Sequence, residues 1–395
     1  MTLASSSKVQ MSYMEEVTYG TTPVTGNSTN LRMTGESLAY DITSKSSDEI
    51  NSTRQVTDSV QVAANANGGI NLELSYREYD PFLESILAST FNTYGTDGVK
   101  VVSAATFAVS AKTITGSGTD FQGLVAGQWI SVIGAPAAAN IGVYLIATVT
   151  NTVITVSTLT PLAADLGPVA ISVSSTRLSC GVATLRSFSL QKQFSDVTQF
   201  FAYKGMTPSK LDLSFDTGSI LKGSISFMGK NGVRSDTTIM PGTAAASQSN
   251  GIMNSVTGVG SVLLNGAVLA GTYVKSAKVS VDAKLRGQTA IANLGNVGVG
   301  TGTFAIGGTL EIYLASGAIY DQALNNTTVS IQFPVYDVAK NGYAFIFNNV
   351  KLGVPKINAS AKDADVMLSV PFTAIAPNST TDKMLIIDRF GVVRV

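Results

Sequence analysis

Residues 276–286 read Ser-Ala-Lys-Val-Ser-Val-Asp-Ala-Lys-Leu-Arg, and their alternation decides the fold. Ala277, Val279, Val281, Ala283 and Leu285 fall on one side of an extended chain, while Lys278, Ser280, Asp282, Lys284 and Arg286 fall on the other. Successive strand side chains point to opposite faces, so the segment predicts a strand with one face buried and one in water. The same period groups Ile70, Leu72, Leu74 and Tyr76; Leu211, Leu213 and Phe215; Leu221, Ile225 and Phe227; Leu310, Ile312 and Leu314; and Val329, Ile331, Phe333 and Val335. Turn-forming residues separate the runs, among them 229–232, expected as a hairpin turn, and Asn341-Gly342. The expected frame is mainly β, an antiparallel sandwich or barrel.

One or two short helices are expected beside it. Asp80-Pro81 offers an N-cap acceptor and a proline pre-set for the first helical position, and Phe82, Leu83, Ile86 and Leu87 then form one apolar face. A second helix is expected over 196–204, with Val197, Phe200 and Phe201 inward and Gly205 free to adopt the left-handed conformation that ends it.

Composition removes most enzymology. The 395 residues contain no histidine, which excludes His-based triads and His-ligated metal centres, and the single Cys180 is expected as a buried small hydrophobe. Charged residues are 13% of the chain, about half the ~25% usual for soluble domains. Lys plus Arg equal Asp plus Glu at 26 each, with no basic run to capture nucleic acid or anionic lipid. The N-terminal stretch lacks the apolar core of a secretory signal, which predicts a chain made in a cytoplasm. The best membrane candidate, 133–149, is interrupted by Pro136 and Asn140 and reads as core strands.

Three segments stand apart. Residues 99–176 hold only four charges, Lys100, Lys112, Asp120 and Asp165, together with the only tryptophan, Trp129. They are expected to be a small all-β domain inserted between two parts of a host domain, 1–98 and 177–395. Residues 41–69 are mostly Ser, Thr, Asn, Asp and Glu, with few apolar anchors, and are expected to be disordered or to lie as an extended arm on another copy. Residues 378–395 include Leu385-Ile386-Ile387 and Val392-Val393, too apolar for a solvated tail, and are expected to be covered by a neighbour.

No catalytic or cofactor-binding set emerges. Gly300-x-Gly302-x-x-Ala305 imitates a dinucleotide fingerprint but leads into a strand, where phosphate binding needs a helix N-terminus. Gly229-Lys230-Asn231-Gly232 lacks the spacing and hydroxyl residue of a P-loop, and Asp363 with Asp365 reads as a solvated turn.

An ordered series of segments carries a resemblance: Leu31 to Leu38; Ser47-Asp48-Glu49-Ile50 with Arg54 and Asp58; Leu72 to Tyr76; and Tyr79 to Glu84. It resumes at Phe194 to Val197, Tyr203 to Met206, Leu213 to Phe215, Gly223 to Lys230 and Gly308 to Tyr313, then in 363–372 and at Asp388-Arg389. Together these resemble the tail tube proteins, or major tail proteins, of long non-contractile-tailed bacteriophages. The resemblance implies a tail-tube fold, hexameric rings stacked into a tube, and inner strands that close one β-barrel across subunits. Genomic DNA would pass through the lumen toward the host without sequence-specific binding. Implied partners are further copies of the chain, the tape measure protein, the tail terminator and distal tail or baseplate proteins, with no membrane, metal or cofactor. The protein would reside in the virion tail after assembly in the host cytoplasm.

By the same analogy the long polar loop makes inter-ring contacts through Glu49, Arg54 and Asp58, and the Asp80 helix lies near a subunit boundary. Ile386, Ile387 and Arg389 complete the expected assembly interface. The lumen-facing surface is either the polar face of 276–286 or that of 212–230. The alternative function is a β-rich adhesin acting through 99–176 and Trp129, and a third is a carboxylate hydrolase using Asp363 and Asp365.

Overall fold

The computed structural model describes residues 3–391 except 166, 184, 257, 270–271, 360–361 and 379. It is mainly β, with two α-helices among the described residues, α1 (Asp80–Ile86) and α2 (Ala318–Leu324). Its centre is an antiparallel ladder in which Ser59–Glu73 pairs with Lys222–Gly229, then Gln199–Asp216, Val274–Asp282, Ala305–Tyr313 and Met367–Ala374. The decisive alternation holds: Ala277, Val279 and Val281 are buried, whereas Lys278 is exposed. A second layer, Thr328–Tyr336 and Gly342–Leu352, packs on the apolar side, where Phe215 stacks on Phe333 with centroids 5.9 Å apart. Helix α1 closes the same side, Phe82 meeting Phe188 and Phe227 edge-on.

Residues 199–204, expected as helix, begin the 18-residue strand Gln199–Asp216. A tight turn with Thr198 at φ +50° reverses the chain instead, and Phe194 and Phe201 meet edge to face at 5.8 Å. Pairing with Phe188–Phe194 covers both aromatic edges, a gain that an isolated helical turn cannot match. Gly205 does take the left-handed conformation, φ +71°, but as a kink within the strand, where a Cβ would lie 2.9 Å from that of Lys230. Residues 229–232, expected as a hairpin turn, lie opposite that kink. The strand Lys222–Gly229 continues as Asn231–Ser235 along the same neighbour, with the Lys230 N–H donating to Lys204 O at 2.9 Å.

Residues 41–69 are not disordered: Ala39–Ser46 and Ser59–Glu73 form a β-hairpin. Backbone pairing supplies the order that the sparse apolar content could not. Helix α1 starts at Asp80 with Pro81 in its first turn, but its N-cap is Tyr79 and the Asp80 side chain makes no capping bond.

The strands of 99–174 pair only with one another and close a six-stranded barrel, in the order Val153–Val156, Thr113–Thr115, Val99–Ala108, Val169–Ser174, Trp129–Ile133 and Gly142–Val149. A separate apolar cluster that includes Val102, Ile114, Ile130, Tyr144 and Ile154 fills it. The membrane candidate 133–149 thus contributes barrel strands, and among the described residues no helix is long and apolar enough to cross a membrane. Cys180 packs against the main core, and burial pushes its thiol up to about 11.

The expectation that a neighbour covers the C-terminal segment is overturned over its described part; Val392 and Val393 lie outside the described residues. Ile386–Phe390 is inserted between Gly342–Leu352 and Thr176–Ser179, and Leu385, Ile387 and Phe390 are fully buried within their own chain. Each such side chain contributes ~1.5–3 kcal/mol by burial, so their joint loss is comparable with the ~5–15 kcal/mol that stabilises a domain. A chain truncated after Asn378 is therefore expected to lose its cooperative melting transition and its resistance to limited proteolysis. Retention of both would show that this strand is dispensable.

Candidate functional site

Pairing register places the polar residues of the central ladder on one surface. Directly opposed residues in antiparallel strands share a face, so Asn71, Ser224, Asp212, Ser280, Gly307 and Thr373 form one row across six strands. The neighbouring row is Glu73, Lys222, Ser214, Lys278 and Thr309. The polar faces of 276–286 and 212–230, alternatives in the sequence, are one continuous wall that lines a shallow concavity of about 780 Å³. Residues between these positions, such as Leu72, Leu213 and Val279, face the core.

The wall carries Lys210, Lys222, Lys278, Lys284 and Arg286 interleaved with Glu73, Asp212, Asp216, Asp282 and Glu311. Lys210 meets Asp212 at 2.8 Å, and Asp282 meets Lys284 at 2.8 Å. These half-exposed pairs are worth at most ~1 kcal/mol each, so their main effect is to neutralise the cations locally.

The hairpin 39–73 projects from one end of this wall. Beyond Ala64, whose N–H donates to Leu294 O, five steps of ~3.3 Å carry it roughly 16 Å outward to Ser59. Side-chain bonds order its tip: Asn51 Oδ1 accepts from Thr53 N and Oγ1 at 3.0 and 2.7 Å, Glu49 Oε2 accepts from Thr57 Oγ1 at 2.8 Å, and Asp58 Oδ1 accepts from Ser59 N at 2.7 Å. Arg54 sits there at φ +59° without an ion pair among the described residues. The structure thus gathers Glu49, Arg54 and Asp58 at one exposed tip.

It separates them from the other four residues expected at the interface. Asp80 is buried and accepts from Tyr343 Oη and Arg389 Nη1, both at 2.6 Å, while the Arg389 guanidinium also lies over the Phe91 ring at 4.3 Å. Asp80 and Arg389 are each other's partners. Ile387 is fully buried, and Ile386 packs beneath the barrel.

The barrel is fixed to the host by contacts that the sequence reading did not anticipate. Trp129, Val143 and Leu145 cover Leu263, Ala344, Ile346, Ile386 and Phe390, and Trp129 Nε1 donates to Gln332 Oε1 at 2.9 Å. Asp388 accepts from Trp129 N at 2.9 Å and from Arg177 Nε and Nη2 at 2.6 and 2.9 Å. Burial pushes the Asp388 carboxyl up even against Arg177, as expected for a charge removed from water. Its signal in the sequence was a lone carboxylate within Leu385-Ile386-Ile387-Asp388. The tryptophan that suggested a surface-binding role is spent on this joint.

Asp363 is an exposed turn residue at φ +62°, Asp365 is exposed beside it, and no potential metal-holding cluster occurs among the described residues. Gly298–Gly300 pairs with Arg286–Gln288 and leads toward the strand Ala305–Tyr313, without the helix N-terminus that phosphate binding requires.

A family model described as "Phage tail tube protein" matches residues 6–374. No curated protein matches the chain.

The buried pair at α1 gives a direct test of its internal role. Asp80→Ala leaves Arg389 uncompensated in the interior and is expected to destabilise the fold by ~3–5 kcal/mol. Chemical denaturation measures this, and an unchanged midpoint would place Asp80 outside the stabilising core.

Proposed function

Because this chain belongs to the phage tail tube protein family, we propose that it forms hexameric rings whose central ladders close into one β-barrel, and that stacked rings conduct the genome to the host. It is a structural component of the phage tail. The observation that carries the finer reading is the two-faced ladder, apolar toward α1 and the second layer and hydrophilic on the other side. Lateral association through backbone hydrogen bonds would satisfy sheet edges between copies, the usual remedy for exposed strand edges. The polar wall then becomes the lumen.

Cations interleaved with carboxylates suit a conduit. Cations held on phosphates add to affinity and retard sliding, whereas lysines already engaged by neighbouring carboxylates, as Lys210 and Lys284 are, have less charge to offer DNA. The barrel of 99–174 acts on this reading as an inserted domain on the tube exterior, because it docks on the side of the molecule away from the polar wall. The projecting tip with Glu49, Arg54 and Asp58 makes the inter-ring contact. Assembly takes place in the host cytoplasm, with the tape measure protein, tail terminator and distal tail proteins as the partners that define the tube's core and ends.

Negative-stain microscopy of the purified chain and of virion-derived tails tests the assembly: rings and tubes are expected, and a persistent monomer in both preparations would refute it. For the lumen, Asp212→Lys combined with Ser280→Lys is expected to leave tube length unchanged while lowering genome delivery per adsorbed particle at least tenfold. Unchanged delivery would remove the polar wall from the conduit.

A further inference from the structure

The tip of the hairpin and the opposite end of the central ladder are complementary in shape and charge. At the tip, Ile50 is fully exposed and Val56 is 68% exposed. At the far end, past Asp216 and Lys275, the chain leaves Val256 and Tyr273 exposed at 73% and 79%. Between them opens an apolar hollow of about 70 Å³, walled chiefly by Phe215, Val259, Val262 and Phe333. The tip segment 47–58 carries Asp48, Glu49 and Asp58 against Arg54, whereas the far end carries Lys275 and Lys340 against the exposed Asp216. Among the described residues none of these seven forms an ion pair.

We propose that Ile50 of one copy seats in this hollow on a second copy, in the next ring, with the acidic side of the tip facing Lys275. The inference rests on the tube reading above and names the receiving surface for the hairpin. Knob and hollow lie at opposite ends of the same strands, so one copy can receive a tip while offering its own. Such a contact is heterologous, and its repetition along an axis produces an open stack rather than a closed pair. Ile50 exchanges water for an apolar wall, and charge complementarity fixes which end meets which.

The test uses full-length protein with Cys180→Ala, carrying Ile50→Cys, Val256→Cys or both, oxidised as assembled tubes and run on a non-reducing gel. The double variant is expected to give a ladder extending beyond dimers, since each chain offers one tip and one hollow, and neither single variant should cross-link. Dimers from Ile50→Cys alone would mean that tip meets tip; tubes of the double variant without a ladder would place the tip elsewhere, and either result overturns the proposal. In parallel, Lys275→Glu is expected to cut tube yield at least fivefold while leaving rings intact, with Glu49→Lys restoring it. Full tube yield from Lys275→Glu would also overturn the docking. Failure of the unsubstituted chain to form rings or tubes would instead defeat the tube reading itself, and this contact with it.

Discussion

The structure depends on the register of the long strand Gln199–Asp216. Its alternation puts Lys210, Asp212 and Ser214 in water and Leu211, Leu213 and Phe215 in the core. A slip of one residue would exchange the two sets, burying a lysine and an aspartate without partners at a cost of several kcal/mol each. The kink at Gly205 holds that register. Glu16, itself buried, accepts hydrogen bonds from Gly205 N at 2.9 Å and from Gly20 N, Ser187 Oγ and Ser189 Oγ at 2.7 Å each. One carboxylate therefore ties the N-terminal strand Val9–Glu15, the strand Phe188–Phe194 and the centre of the ladder together.

The barrel joins this frame where insertion perturbs it least. Its entering and leaving segments lie side by side, the Ser175 N–H donating to Gly98 O at 2.9 Å, so the host closes across the same gap that admits the barrel. A barrel on two short tethers would still swing. Here the last barrel strand, Val169–Ser174, runs almost directly into the host strand Thr176–Ser179, and Ser174 Oγ meets both Gly391 N and Gly391 O. Arg177, Asp388 and Trp129 then hold the joint with directional bonds. The apolar patch supplies adhesion, and the buried polar groups restrict it to one orientation.

Local pattern was legible wherever one strand face met water and the other met the core. The runs around Leu72, Leu213, Val279, Leu310 and Ile331 lie in strands with these side chains inward, and the Asp80-Pro81 helix lies where its proline sets it. Pairing was not legible, because alternation says which residues share a face but not which strand lies alongside. Residues 196–204 therefore resembled an amphipathic helix when their aromatics belonged to a strand pair. Asp80 and Arg389, 309 positions apart, read as an N-cap acceptor and an interface residue rather than as one buried ion pair. Helix α2 went unread because only Ala323 in it is buried, so it has almost no apolar stripe. The order of 41–69 went unread for a related reason: it comes from backbone ladders and tip side-chain bonds, which composition does not register.

Sign and placement of charge separate the two proposed working surfaces of the molecule. On the wall, lysines are interleaved with carboxylates, and Lys210 is already engaged by Asp212. Affinity for a polyanion scales with the number of phosphates neutralised, so a wall whose cations are interleaved with carboxylates and partly paired to them has less to contribute and less salt dependence to show. At the hairpin tip the charges form no ion pair among the described residues and stand on a frame held by side-chain hydrogen bonds, so part of the conformational cost of ordering Glu49 and Asp58 has been met before any contact forms. Ile50 stands exposed among hydrated charges, the arrangement of an interface whose apolar centre is ringed by polar groups. On the proposed reading, the same chain is indifferent to what passes its polar wall and selective about what meets its end.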